Sequence, residues 1–132
     1  MKTKITILLI LILLLNCVPK KVPLNEIPMY DGVNITEYQK KINDEFVDAI
    51  KKDINDKKSD LKNLNEASDY FLNKGWDFFS KSDYSMAIKR FNQAWLLNNN
   101  NSDVYWGFGN YYGVNYKFDD SIKMLKKSLL LS

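Results

Sequence analysis

The chain has 132 residues, of which 45% are hydrophobic and 14% aromatic, enough to bury one core and too apolar for a wholly disordered chain. It contains no His and one Cys, which excludes zinc sites, disulfides within the chain and His-based catalytic triads. The net charge of +3 includes Lys2 and Lys4. Without these two residues the chain has 17 cationic and 16 anionic side chains. A balance so close to neutral gives no electrostatic reason to expect nucleic acid as a partner.

Residues 1–16 have the pattern of a secretory signal peptide. Lys2 and Lys4 precede an eleven-residue run, Ile5–Leu15, that is apolar with one polar interruption. About 20 apolar residues are needed to cross a bilayer, so this run is too short for a permanent membrane helix and predicts export. An ordinary cleaved signal with an incidental Cys17 and an uncleaved anchor stay open as alternatives.

The run ends in Leu14–Cys17, which resembles the lipobox of bacterial lipoproteins. The resemblance implies that Cys17 becomes the acylated first residue of the mature chain and anchors it in the cell envelope, facing the periplasm. Asn16 departs from the small residue that usually precedes the cysteine, which bears on the efficiency of processing. Val18 stands where an Asp favours inner-membrane retention in lipoproteins of enterobacterial type, so the resemblance favours the outer membrane.

Residues 17–35 predict an extended tether between this anchor and a folded body. They contain all three prolines of the chain together with Gly32, and these residues oppose helix and sheet alike.

Residues 36–64 predict an N-terminal amphipathic region that begins with a helix of about six turns. Thr36 is a suitable N-cap, and Glu37 places a negative charge in the first turn. Apolar residues recur at helical spacing along one stripe: Tyr38, Ile42, Phe46, Ala49, Ile50 and Ile54. We expect this stripe to pack against the first of the helices that follow.

The rest of the chain contains one pattern twice, in segments 68–101 and 102–132, at an offset of 34 residues. The equivalent pairs include Gly75 with Gly109, Phe78 with Tyr112, Tyr84 with Phe118, and Ile88 with Ile122. This period and these residue types resemble tetratricopeptide repeats (TPRs), which are helix-turn-helix units that bind other proteins. The resemblance implies an all-α fold, a short helical solenoid of two TPR hairpins with an N-terminal packing helix.

Four helices are predicted in the repeats: Ser68–Lys81, Tyr84–Leu97, Ser102–Tyr116 and Phe118–Leu131. Gly75 and Gly109 are expected to let the paired helices approach closely. The three leucines Leu129–Leu131 either pack inward or form an exposed apolar patch for a partner or a second copy.

In TPRs the first helix of each hairpin lines a concave groove, so the resemblance implies a partner-binding groove here. Its expected members are Asp69, Leu72, Trp76, Phe79, Ser80, Asp103, Trp106, Asn110, Gly113 and Val114. Trp76, Phe79 and Trp106 are residue types that anchor interfaces, and Asn110 is suited to bonding a peptide backbone. The alternative is that the same aromatic side chains form the core.

The run Met86–Leu97, followed by Val104–Gly109, resembles a family of small bacterial TPR lipoproteins. Residues Pro28–Gly32, ahead of a charged helix containing Glu45 and Phe46, share this resemblance. It covers most of the mature chain and implies a location and an architecture, with no reaction attached.

The sequence therefore predicts a membrane-tethered adaptor that holds a protein or peptide of unknown identity in its groove, without cofactor, metal or nucleic acid. The alternative is a structural lipoprotein that forms homo-oligomers through its C-terminal helix. Catalysis is not expected, because neighbouring carboxylates such as Asp119 and Asp120 diverge by about 100° on a helix and no spacing brings catalytic groups together.

Overall fold

The computed structural model describes residues 24–29 and 34–132, which contain five α-helices and no β-strand. The helices are α1 (Glu37–Asn55), α2 (Leu64–Ser80), α3 (Tyr84–Leu97), α4 (Ser102–Val114) and α5 (Phe118–Leu131). The predicted all-α class is confirmed for this part of the chain. The predicted signal peptide, Cys17 and the tether up to residue 23 lie outside the described residues. None of the described helices combines the length and the apolar character needed to cross a membrane.

Two helical hairpins, α2–α3 and α4–α5, close with the same turn. In the first hairpin the N–H groups of Lys81 and Asp83 donate to the Phe78 carbonyl, at 3.1 and 3.0 Å. The equivalent groups 34 residues later repeat both bonds, at 3.2 and 3.0 Å. The middle residue of each turn, Ser82 or Tyr116, is left-handed, with φ of 60° and 59°. The internal repeat of the sequence is thus a repeat of the backbone.

Close packing inside each hairpin depends on one glycine. A side chain at Gly75 would collide with the Phe91 ring, and a Cβ at Gly109 would lie 2.6 Å from Leu125 Cδ2. Both residues of the second contact lie 34 residues after their equivalents in the first. The predicted role of both glycines is confirmed, because any larger residue would force the paired helices apart.

The core lies where the two hairpins meet, and the fully buried Phe91 is at its centre. The Phe91 ring centroid is 5.1 Å from that of Trp76 and 6.4 Å from that of Phe79. The ring also reaches across to α4, where a Cβ at Gly107 would lie 3.1 Å from it. The other buried members of this cluster are Leu72, Ala87, Ile88, Ala94, Val104, Tyr105, Phe108, Tyr112 and Met124.

Polar side chains also join the hairpins. Trp95 Nε1 donates to Tyr105 Oη at 3.0 Å, which joins α3 to α4. Ser68 Oγ, fully buried, donates to the Ala94 carbonyl at 2.9 Å and accepts from Asn101 Nδ2 at 3.1 Å. These bonds link the start of α2 to the end of α3 and to the loop before α4.

Three predicted helix boundaries differ from the structure, the smallest difference being the end of α2 at Ser80, one residue before the predicted Lys81. Helix α2 begins at Leu64 and not at Ser68, because Asn63 acts as the N-cap and accepts from the Glu66 N–H at 3.0 Å. Helix α4 ends at Val114, two residues before the predicted end, since the left-handed turn residue follows.

Helix α1 begins as predicted, with Thr36 Oγ1 accepting from the N–H of the third residue after it at 3.1 Å. It packs against the first hairpin as expected, but with only part of its apolar stripe, because Tyr38 is 75% exposed and Ile42 is 39% exposed. The contact with the hairpins is narrower than the stripe. It includes an edge-to-face pair between Phe46 and Phe71, whose ring centroids are 5.4 Å apart.

The N-terminal strap, residues 24–29, is packed on the folded body. It begins with a short 3-10 turn, Leu24–Glu26, and ends with Pro28 and Met29, which are buried. The prediction of an extended tether over residues 17–35 is therefore wrong for this part. Prolines prevent regular secondary structure, but they do not prevent a segment from being bound by side chains of the body.

Candidate partner-binding surface

The first hairpin does not offer the predicted groove residues as a free surface. Leu72 is 5% exposed and belongs to the core, so its assignment to the groove is wrong. Trp76 and Phe79 are partly buried against Phe91, with their own ring centroids 5.4 Å apart. Asp69 is exposed, but its Oδ1 accepts from Asn101 Nδ2 at 2.9 Å and so supports the join between hairpins. The alternative reading of these aromatics as core describes this hairpin best.

The second hairpin brings four of its five predicted groove residues together. Trp106, Asn110, Gly113 and Val114 line one hollow of about 210 Å³. Gly109 of α4 and two residues of α5, Ser121 and Leu125, complete the lining. Asp103 does not take part. It is exposed in the first turn of α4, where its N–H donates to Asn101 Oδ1 at 3.1 Å.

The hollow combines an apolar wall with hydrogen-bonding groups. Trp106 is 49% exposed, unusually open for an indole, and Val114 is 37% exposed. Asn110 Nδ2 donates to the Trp106 carbonyl at 2.8 Å, while Asn110 Oδ1 has no hydrogen-bond partner among the described residues. A Cβ at Gly113 would lie 3.5 Å from Ser121 Oγ, an ordinary contact, so Gly113 is open to the hollow. The site can hold an apolar side chain and accept one hydrogen bond from a peptide backbone.

A second exposed surface runs along the outer side of α5. Ile122 is 51%, Leu129 is 71% and Leu130 is 82% exposed. Leu131 packs against the core, whereas Leu129 and Leu130 are exposed. Inward packing therefore holds for one of the three leucines, and exposure holds for the other two. This face borders a groove of about 580 Å³, lined by Tyr105, Asp119, Ile122, Lys123, Met124, Lys126, Lys127 and Leu130.

Two residues that bind the strap were missed by the sequence analysis. Asn92, only 2% exposed, bonds three main-chain groups of the strap, and Tyr111 Oη donates to the Glu26 carbonyl at 2.8 Å. Burial, with a smaller effect of the Glu26 charge, raises the pKa of Tyr111, so its hydroxyl keeps the proton that it donates. The available signal was Asn92 itself, an amide four residues from Ile88 on the apolar side of α3.

No group of three or more Cys, Asp or Glu side chains in residues 24–29 and 34–132 is placed to hold a metal ion.

The chain matches no protein-family model, and neither a curated protein nor a solved structure is significantly similar to it.

Proposed function

We propose that the protein is a lipid-anchored TPR adaptor of the bacterial cell envelope that binds an extended peptide segment at its second hairpin. The hollow lined by Trp106, Asn110, Gly113 and Val114 carries this proposal, because four residues expected in a TPR groove converge on one concave surface. The identity of the hairpins as TPR units is supported by the 34-residue period, the repeated turn and the equivalent glycine contacts.

The binding mode follows from the chemistry of the hollow. Trp106 provides a large, half-exposed apolar surface, and such side chains dominate the energetics of many interfaces. Asn110 Oδ1 would accept a hydrogen bond from a backbone N–H of the peptide. This hydrogen bond does not depend on the sequence of the peptide. The partner class is therefore a protein segment that presents one apolar side chain next to a free backbone N–H.

The proposed anchor is Cys17, diacylated before residues 1–16 are removed. Two or three acyl chains hold a protein on a bilayer stably, since each buried CH₂ contributes about 0.8 kcal/mol and one chain alone is marginal. Val18 after the cysteine favours the outer membrane, with the folded body in the periplasm.

One experiment tests both parts of the proposal. A photo-crosslinking amino acid at Val114, which lines the hollow and is 37% exposed, is expected to capture one protein reproducibly in cells, in the membrane fraction of a strain that also labels the adaptor with a palmitate analogue. Cys17→Ala is expected to abolish the label and to move the adaptor out of the membrane fraction. Gly113→Met, whose side chain would occupy the hollow, is expected to reduce capture by at least about tenfold, equivalent to about 1.4 kcal/mol of binding.

The matched control places the same crosslinker at Asn73, an exposed position on α2 of the first hairpin. Capture of the same protein from both positions, or undiminished capture in Gly113→Met, would remove the hollow from the proposal. Persistent palmitate label in Cys17→Ala would remove the anchor.

Self-association through α5 is the second candidate function, and the exposure of Ile122, Leu129 and Leu130 favours it. The first turn of α5 is acidic, with Asp119 and Asp120, whereas Lys123, Lys126 and Lys127 follow. Antiparallel pairing of two copies centred near residue 123 would place Asp119 and Asp120 of each helix beside Lys127 and Lys126 of the other.

Under this alternative, protein spanning residues 17–132 changes from monomer to dimer with increasing concentration in light-scattering measurements. The double variant Ile122→Lys, Leu130→Lys is then expected to weaken dimerisation by at least about tenfold. Tyr70→Lys is the control, because Tyr70 is 48% exposed but lies on α2. A wild-type chain that stays monomeric throughout the concentration range excludes this function.

A further inference from the structure

The strap is bound mainly through its backbone, and one side chain makes most of the bonds. Asn92 Oδ1 accepts from the Met29 N–H at 2.8 Å. Asn92 Nδ2 donates to the Ile27 carbonyl at 2.9 Å and to the Asn25 carbonyl at 3.1 Å. A single buried amide thereby holds main-chain groups spread over five residues of the strap. Buried polar groups of this kind are costly to leave unpaired, so the arrangement holds the strap in one position.

Contacts from three helices complete the binding of the strap. Tyr111 of α4 donates to the Glu26 carbonyl, and Lys89 Nζ of α3 lies 3.0 Å from Glu26 Oε1. Asn43 Nδ2 of α1 lies 3.5 Å from Met29 Sδ, and Met29 is 6% exposed. The strap is therefore part of the folded body and not the last portion of a free linker.

Binding of the strap shortens the chain between the anchor and the body. Seven residue steps separate Cys17 from Leu24, and they span at most about 25 Å even when fully extended. If the strap were released, the linker would run to Thr36, the cap of α1, and could span about 70 Å. Asn92 thus limits how far the body can move from the bilayer.

The strap also determines which side of the body faces away from the linker that leads to the anchor. Helical geometry rotates successive residues by about 100°, so Tyr111 lies about 140° from Trp106 around α4, and about 160° from Gly113. Tyr111 contacts the strap, whereas Trp106 and Gly113 line the hollow. The chain leaves the body on a different side of α4 from the hollow.

We propose that the strap docks the body close to the membrane and orients it with the hollow turned away from the bilayer, open to a partner. This inference rests on the lipid anchor at Cys17 that is part of the proposed function. The contact between strap and body is independent of that anchor.

The test uses protein spanning residues 17–132, with its single thiol, Cys17, coupled to maleimide-bearing lipid in phosphatidylcholine vesicles. Energy transfer from the tryptophans to a fluorophore on the lipid headgroups reports the separation of body and bilayer. We expect Asn92→Ala to lower this transfer at least roughly twofold, since the permitted span rises from about 25 to about 70 Å. Hydrogen exchange of the Met29 amide is expected to be protected in the wild type and to approach the rate of an unstructured chain in the variant.

Asn73→Ala, an exposed amide on α2, is the matched control and is expected to change neither signal. Should Asn92→Ala fail to fold, the double variant Lys89→Met, Tyr111→Phe removes the contacts of these two side chains with Glu26 without a cavity at Asn92. An unprotected Met29 amide in the wild type would overturn the inference, as would unchanged energy transfer in a folded variant whose Met29 amide exchanges freely. Because the coupling is chemical, absence of palmitate labelling in cells would refute the anchor of the proposed function and leave this result unaffected.

Discussion

Phe91→Ala is expected to lower the free energy of unfolding by about 3–5 kcal/mol, the cost of a large cavity in a closely packed core. Phe91 is fully buried and contacts both hairpins, with Gly75 and Trp76 on one side and Gly107 of α4 on the other. The glycine faces at Gly75 and Gly107 carry no side chain that could move into the space. A domain of this size is commonly stable by about 5–15 kcal/mol, so the variant loses a large share of its stability.

Urea denaturation of protein spanning residues 17–132 measures this loss, with Leu125→Ala as the matched control. Leu125 is the equivalent residue in the second hairpin and contacts Gly109 in the same way, but it is only partly buried and borders the hollow. We expect Leu125→Ala to cost less than Phe91→Ala. Equal losses would show that Phe91 does not join the hairpins in the way described here.

Gly109→Ala and Gly113→Ala are expected to change stability in opposite directions, although the two positions are one turn apart on α4. A methyl group at Gly109 would lie 2.6 Å from Leu125 Cδ2 and 3.3 Å from the Ser121 carbonyl oxygen. Relief of this overlap requires the Leu125 side chain to move or α4 and α5 to separate, at a cost of about 1–3 kcal/mol. At Gly113 the nearest atom is Ser121 Oγ, at 3.5 Å, so the methyl group fits without rearrangement.

Gly113→Ala is then expected to raise the free energy of unfolding by about 0.5–1 kcal/mol, because Ala has a higher helix propensity than Gly. Thermal unfolding of both variants beside the wild type is the measurement, and the midpoint should fall for Gly109→Ala and rise for Gly113→Ala. If both substitutions stabilise the chain, close approach of α4 and α5 at Gly109 is not needed for the fold. If both destabilise it, Gly113 is not open to the hollow.

The two hairpins have different roles in the proposed mechanism. The first hairpin is covered by α1 and provides Lys89 and Asn92, which bind the strap. The second presents the hollow and the outer face of α5, and it holds most of the large apolar side chains that are exposed in the described residues. The strap is therefore held mainly by the first hairpin, and its contact with the second, through Tyr111, lies on a different side of α4 from the hollow. In the proposed mechanism a partner binds at the hollow without displacing the strap.

Local features of the sequence were sufficient to predict most helices. Thr36 begins α1 as expected, and the predicted bounds of α3 and α5 coincide with those of the structure. These signals depend on a few consecutive residues or on a fixed spacing, and the duplicated pattern supplied each of them twice. The fit between Gly75 and Phe91 was predictable for the same reason, since the second copy repeats it at Gly109.

The composition of the site depended on the tertiary structure. Positions equivalent in the repeat have different environments, because the first hairpin is covered by the second on one side and by α1 on the other. Phe79 therefore packs into the aromatic core, while its counterpart Gly113 opens onto the hollow. The sequence of a single repeat does not indicate which other helices pack against it.

The sequence by itself determined the helical class, the period and the steric pairing within each hairpin, since these depend on residues near one another in the chain. Only the tertiary structure decided that the strap is bound and where the hollow lies. Asn92 and its partners on the strap are 63 to 67 residues apart, and a contact across such a separation exists only once the helices have packed.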